Sequence, residues 1–124
     1  MSRSPLNRLD ALAIATGGIL GSLLRTWVGL GFEGDFPVPT LLVNLAGAAA
    51  LGLLYGWQHR LPPTGIHLYM VGFCGSFTTV SLFAFETLEL LQEGRMAAAL
   101  GYLLLPTLTA LGMVAWIVPR AEAG

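Results

Sequence analysis

Gly72-Phe73-Cys74-Gly75-Ser76-Phe77-Thr78-Thr79-Val80-Ser81-Leu82-Phe83-Ala84-Phe85-Glu86 places two glycines, four hydroxyls and a carboxylate in a segment otherwise apolar enough for lipid. It lies in an apolar window from Ile66 to Leu91, 26 residues long, which is more than a single crossing needs. Roughly 20 helical residues at about 1.5 Å each cross about 30 Å of hydrocarbon. The run of glycine, serine and threonine weakens a helix, so the spacing predicts an unwound middle. Non-helical backbone at membrane depth persists only where protein or a polar cavity satisfies it. Its freed carbonyls form an oxygen site suited to a cation, and the half-helix that follows offers N–H groups at the positive end of its dipole.

Working outward, three more apolar windows appear, at Leu12 to Leu30, Thr40 to Trp57 and Met96 to Val118. With 55% hydrophobic and 10% charged residues in 124, the chain reads as one all-α membrane domain over 1–124 with four transmembrane helices. The spans are about 12–30, 40–57, 66–91 and 96–118, and their short connections make neighbours antiparallel. Leu12 to Leu30 carries Arg25 and no cleavage pattern, so it is expected to be retained as the first span, after an interfacial lead-in over Met1 to Asp10.

A net charge of -1 without lysine argues against a nucleic-acid partner. The lone Cys74 excludes an intramolecular disulfide and reads as a small buried residue. His59 and His67 have no thiol or carboxylate at ligand spacing and read as interfacial. Arg3, Arg8, Arg60 and Arg120 fall on one side of the membrane and Arg95 on the other, which favours termini in the cytoplasm.

Within the spans, Gly17 and Gly21 share a helical face, as do Gly52 and Gly56, and each pair permits close helix approach. Arg25 either anchors its span by snorkelling or makes an anion vestibule electropositive. Thr40 and Asn44 share a face one turn apart. The Asn44 amide either bonds across a helix interface or lines a polar cavity, where it offers two donors to an anion. Phe83 recurs with Val80 and Glu86 at a three-residue spacing, and its ring serves either packing or edge-on anion contact. Glu86 is an interfacial carboxylate or a partner for Arg25, and no aromatic cage is evident around it. Tyr102 and Thr109 lie on one side of the fourth span, Pro106 is expected to kink it, and Pro119 to end it.

Gly17-Gly18 with Gly21 and Arg25, Pro39-Thr40-Leu41-Leu42-Val43-Asn44 with Gly47, and Gly72 to Glu86, in this order, resemble the CrcB/Fluc-type fluoride ion channels. The resemblance covers nearly the whole chain. It implies a third helix broken at its centre and an antiparallel, dual-topology dimer in the inner cell membrane. Two pores at the subunit interface would let out fluoride that entered the cell as hydrogen fluoride and was trapped as the anion. It further implies a structural sodium ion at the dimer centre, held by the carbonyls of Gly75 and Thr78. Asn44 and Phe83 match pore positions, Thr79, Ser81 and Tyr102 fall on the polar side of the path with Thr40 beside them, and Arg25 and Glu86 match motif positions.

The chain departs from the family pattern at three places. Where the family reads Thr-Thr-Phe-Ser-Thr-Phe, this chain reads Thr78-Thr79-Val80-Ser81-Leu82-Phe83, so Val80 stands at one phenylalanine position and Leu82 at one hydroxyl. Pro106 stands where a hydroxyl residue is common. These departures, with the arginine excess on one side, keep a heterodimer with a sister subunit as an alternative. Two other classes are a dual-topology proton-coupled exporter of cationic compounds, which needs a deep carboxylate, and a membrane scaffold. No nucleophile–base pair or phosphate loop points to an enzyme.

Overall fold

A computed structural model describes residues 5–34 and 36–124. Arg3, which enters the arginine count, and Asp35, in the first connection, lie outside the described residues. Within them the chain forms α1 (Arg8–Leu30), α2 (Val38–Gly56), a short 3-10 turn (Gln58–Arg60), α3 (residues 63–77), α4 (Val80–Gln92) and α5 (Met96–Ala123). α3 and α4 are two halves of one span over Pro63–Gln92, so four segments are long and apolar enough to cross a membrane.

α1 begins earlier than expected, because Asn7 and Asp10 form a reciprocal cap. The Asp10 N–H donates to Asn7 Oδ1 at 2.8 Å, and the Asn7 N–H donates to Asp10 Oδ2 at 3.0 Å. Such a cap is worth about 1 kcal/mol, enough to draw the polar residues 8–10 into the helix. Asp10 also approaches His67 Nδ1 at 3.2 Å, tying the start of α1 to the start of α3.

α3 is not a plain α-helix. Ile66–Cys74 is π-helical, which the residue pattern did not announce, and α-helical turns flank it. A π-helix is wider per turn and is rarely sustained unless packing holds it. Here α1 supplies that packing through glycines. A Cβ at Gly72 would stand 2.5 Å from the Ile14 carbonyl oxygen, and one at Gly17 would stand 2.7 Å from the Phe73 nitrogen. The expected packing role of Gly17 and Gly21 holds, whereas Gly18 faces open space.

The expected interruption of the third span is present but narrower than the glycine-rich stretch implied. Gly72 to Phe77 remains helical, and only Thr78 (φ -85°, ψ 156°) and Thr79 (φ -149°, ψ 114°) are extended. Thr79 restarts the helix as the cap of α4, its Oγ1 accepting from the Leu82 N–H at 3.2 Å.

α5 continues through Pro106 and, against expectation, through Pro119 to Ala123. Pro119 removes one backbone donor, but the turn beyond it is held from outside. Ala121 is buried against Gly56, where any Cβ would overlap it. Arg120 lies 4.0 Å over the Trp116 ring and donates to the Trp116 carbonyl at 2.9 Å. α2 packs along α5, and α4 packs on α5 around a small core of Leu90, Ala99 and Tyr102. Many other large apolar side chains, among them Leu23, Trp27, Leu105 and Leu111, are exposed, as on a bundle surrounded by lipid.

Candidate ion pathway

Two polar constellations lie within the spans, and both join α2 to the third span. The first is built on Asn44. Its Nδ2 donates to the Thr79 carbonyl at 3.1 Å, and its Oδ1 accepts from the Thr79 N–H at 2.8 Å. One amide thus pairs with both backbone groups of an extended residue, as a neighbouring strand would. Asn44 therefore bonds across a helix interface, the first of the two roles left open by sequence. It also borders a groove of about 240 Å³ with Gly47, Ala48, Cys74, Gly75 and Thr78.

The break distributes its other polar groups locally. Thr78 Oγ1 and the Thr78 N–H both donate to the Cys74 carbonyl, at 2.9 and 3.2 Å. Ser76 Oγ donates to the Phe73 carbonyl at 3.2 Å. Arg25 Nε donates to the Ser76 carbonyl at 3.1 Å, so Arg25 is bound to the end of α3 and is not paired with Glu86. Among the described residues, no N–H or hydroxyl outside the helices' own ladder donates to the carbonyls of Gly75 and Thr78. A Cβ added at Gly75 would meet nothing within 4 Å.

The second constellation centres on Glu86, which is only 9% exposed. Thr40 Oγ1 donates to Oε1 at 2.5 Å, and the Tyr102 hydroxyl donates to Oε2 at 3.3 Å. Both hydroxyl residues are themselves buried. Two aromatic rings pack on the ring of Tyr102. The Phe83 ring is 4.8 Å from that of Tyr102, and Phe36 meets it edge-on at 5.6 Å. Glu86 and Thr40 also line a cavity of about 390 Å³ at the end of the bundle formed by the α1–α2 and α4–α5 connections, together with Glu33, Glu89 and Glu93.

The expected site residues therefore divide. Thr40, Phe83, Glu86 and Tyr102 come together, and so do Asn44, Gly75, Thr78 and Thr79. Ser81 is exposed 3.5 Å from the Thr79 hydroxyl, and Val80 is 79% exposed on the outer face of α4. Phe36 was missed, because it sits in a connection outside every periodic pattern. The capping role of Thr79 was legible in principle: a threonine directly before a new apolar period is a helix-start signal.

The model of the family described as CrcB-like protein, Camphor Resistance (CrcB), matches residues 12–118. The chain belongs to the CrcB-like family. Among CrcB-like relatives, it is 45% identical over 102 residues to a protein of Gloeobacter violaceus named "Fluoride-specific ion channel FluC", covering 77% of this chain and 82% of that one. Proteins of the same name from Pseudomonas fluorescens and Thermococcus kodakarensis are 43% and 41% identical, over 99 and 93 residues. These matches cover 74% and 71% of this chain, and 80% and 76% of the relatives. The CrcB-like match spans both polar constellations, since Thr40, Asn44, Thr78, Thr79, Glu86 and Tyr102 all fall inside it.

Proposed function

We propose that this chain is a subunit of a passive, fluoride-selective channel that lets cytoplasmic fluoride out across the inner cell membrane. The channel would be an antiparallel dimer with its pores at the subunit interface. The names of the relatives support the ion. One observation carries the arrangement: the groove bordered by Asn44, Gly75 and Thr78 opens on the outer face of an otherwise apolar bundle. Backbone polar groups cannot face hydrocarbon without a loss of several kcal/mol each. A second subunit, or the water between two subunits, is the environment that such a groove requires.

Sodium fits the same reading. Among the described residues, no donor outside the helices' own ladder reaches the Gly75 and Thr78 carbonyls, and a hard cation takes oxygen ligands of this kind. In the proposed dimer these two carbonyls from each subunit would hold the ion, and its charge would offset the helix ends meeting at the break. Asn44 keeps Thr79 extended, so that the Thr78 carbonyl is not drawn back into the helix.

For fluoride, the hydroxyls of Thr79 and Ser81 are candidate donors, as are those of Thr40 and Tyr102, which in this structure donate to Glu86, with Phe83 offering a ring edge beside Tyr102 and Arg25 setting a positive potential at the end of α3. A second reading is a heterodimer in which a sister subunit supplies the better pore. The exposure of Val80 favours it, because the side chain presented to a partner there is an aliphatic one. Fluoride efflux from liposomes holding the purified protein tests both. Efflux no faster than from empty liposomes defeats the homodimer, and recovery on adding a sister subunit establishes the heterodimer.

A further inference from the structure

The peptide unit between Thr78 and Thr79 belongs to neither half of the third span, so no helix orients it. It carries the Thr78 carbonyl, one of the two oxygens read above as sodium ligands. Among the described residues every peptide bond is trans, so the C=O and N–H of this unit point in opposite directions. Asn44 Oδ1 holds the Thr79 N–H at 2.8 Å, which turns the Thr78 carbonyl away from Asn44. One hydrogen bond fixes a direction but not the tilt about it, so the other end of the unit needs a constraint of its own. Thr78 supplies it. Its N–H and its Oγ1 both donate to the Cys74 carbonyl, at 3.2 and 2.9 Å. Oγ1 and the methyl Cγ2 share one β-carbon, so the bond to Cys74 also decides where the methyl goes. It goes to Gly47. Any Cβ at Gly47 would overlap the Thr78 methyl, and Phe77 Cδ1 lies 3.5 Å from the place that Cβ would take. Turning the methyl out of this socket means rotating about χ1, which would break the Oγ1 bond. Gly47 lies one turn beyond Asn44 on α2, so the two residues present one face to the break.

We propose that Gly47 is a positioning residue for the cation site: the space left by its missing side chain seats the Thr78 methyl and thereby fixes the direction of the Thr78 carbonyl. This inference rests on the sodium reading above and assigns Gly47 a role that acts only through Thr78. The two glycines of the groove then serve different ends. Gly75 contributes a carbonyl, and a Cβ there would meet nothing within 4 Å, whereas Gly47 contributes space that any Cβ would fill. The socket also differs from the α1–α3 seam, where Gly17, Gly21 and Gly72 each face backbone atoms. Gly47 faces a side-chain methyl, so a carbon added on one side of this contact can be offset by a carbon removed on the other.

Sodium binding is the test, read as the rise in thermal unfolding temperature of the full chain in detergent. The protein is purified in N-methylglucamine chloride, and sodium chloride then replaces that salt at constant ionic strength. A ligand that binds only the folded state stabilises it once its concentration exceeds its dissociation constant, so the sodium concentration at which the rise begins reads the affinity. Gly47→Ala is expected to move that onset upward by about tenfold. Thr78→Ser removes the methyl, keeps the hydroxyl that bonds Cys74, and is expected to move the onset by about threefold. Combining the two is expected to return the onset to that of Thr78→Ser alone, because the added carbon then takes the place of the missing one. A clash that is merely structural would lower the unfolding temperature at every sodium concentration and leave the onset in place. Two results overturn the proposal: an unmoved onset in Gly47→Ala, or a full shift that persists when Thr78→Ser is added. If Gly47→Ala is not monodisperse, the double variant decides, since it must fold and must show the onset of Thr78→Ser. An unaltered protein with no sodium-dependent rise defeats the sodium reading and this inference with it, whereas a normal rise there with an unmoved onset in Gly47→Ala defeats this inference alone.

Discussion

The two halves of the third span meet their neighbours in opposite ways. α3 approaches α1 backbone to backbone, through Gly17, Gly21 and Gly72, and this close fit accompanies its π-helical form. α4 keeps an ordinary α-helix and meets its neighbours through side chains, with Glu86 and Leu90 buried and Phe83 against Tyr102. Between them, Thr78 and Thr79 leave the helix and are caught by Asn44. The difference separates scaffold from chemistry. A contact made by backbone tolerates no added atoms, whereas one made by side chains can be edited without moving the helix.

The sharpest way to break this comparison is to enlarge a glycine on the α1–α3 seam. Gly72→Val places carbon against the Ile14 carbonyl, and overpacking of this kind costs about 3 kcal/mol. Loss of the monodisperse species on size exclusion is expected, and a variant that folds and conducts normally would show that the seam is not rigid.

Next in size is Asn44→Ala, which leaves the Thr79 N–H and carbonyl without partners. A loss of about 2 kcal/mol is expected in thermal or denaturant unfolding, together with a greater than tenfold fall in fluoride efflux. Asn44→Asp keeps the acceptor for the Thr79 N–H and is expected to recover part of the stability. If Asn44→Ala leaves stability untouched, the clamp is not what holds the break open.

Thr79→Ala removes the cap of α4 at a cost of about 1 kcal/mol, and Thr79→Ser is expected to restore it. The smallest stability effect belongs to Val80→Phe. The position is exposed, so unfolding is expected to shift by no more than about 0.5 kcal/mol. Efflux from liposomes then reads the ring alone. Faster efflux is expected if the path wants an aromatic edge there, and unchanged efflux would make Val80 a neutral replacement.

How much of this was readable beforehand follows from how far apart the interacting residues are. The four spans, the glycine seams at Gly17, Gly21 and Gly56, and an interruption after Gly75 depend on residues a few positions apart or on bulk hydropathy, and the chain states them directly. Asn44 was identified as one of two polar residues on its helix face, but its partner is 35 residues away, and no local pattern distinguishes clamping a backbone from lining a cavity. Arg25 and Glu86 were candidate partners on charge alone. The fold sends one to a carbonyl and the other to two hydroxyls, because α2 and α5 bring Thr40 and Tyr102 to Glu86 first.

The residue sequence by itself determined that this chain has four segments long and apolar enough to cross a membrane and that the third is weak near Thr78. Apolar length and helix propensity are local quantities, and solvent exclusion enforces them whatever the neighbours do. Only the tertiary structure decided where the weakness would open, which carbonyls it would leave free, that residues 66–74 would widen into a π-helix, and that Pro119 would be passed over. Each of those outcomes is a choice between local conformations of similar energy, and a few contacts from other helices were enough to make it.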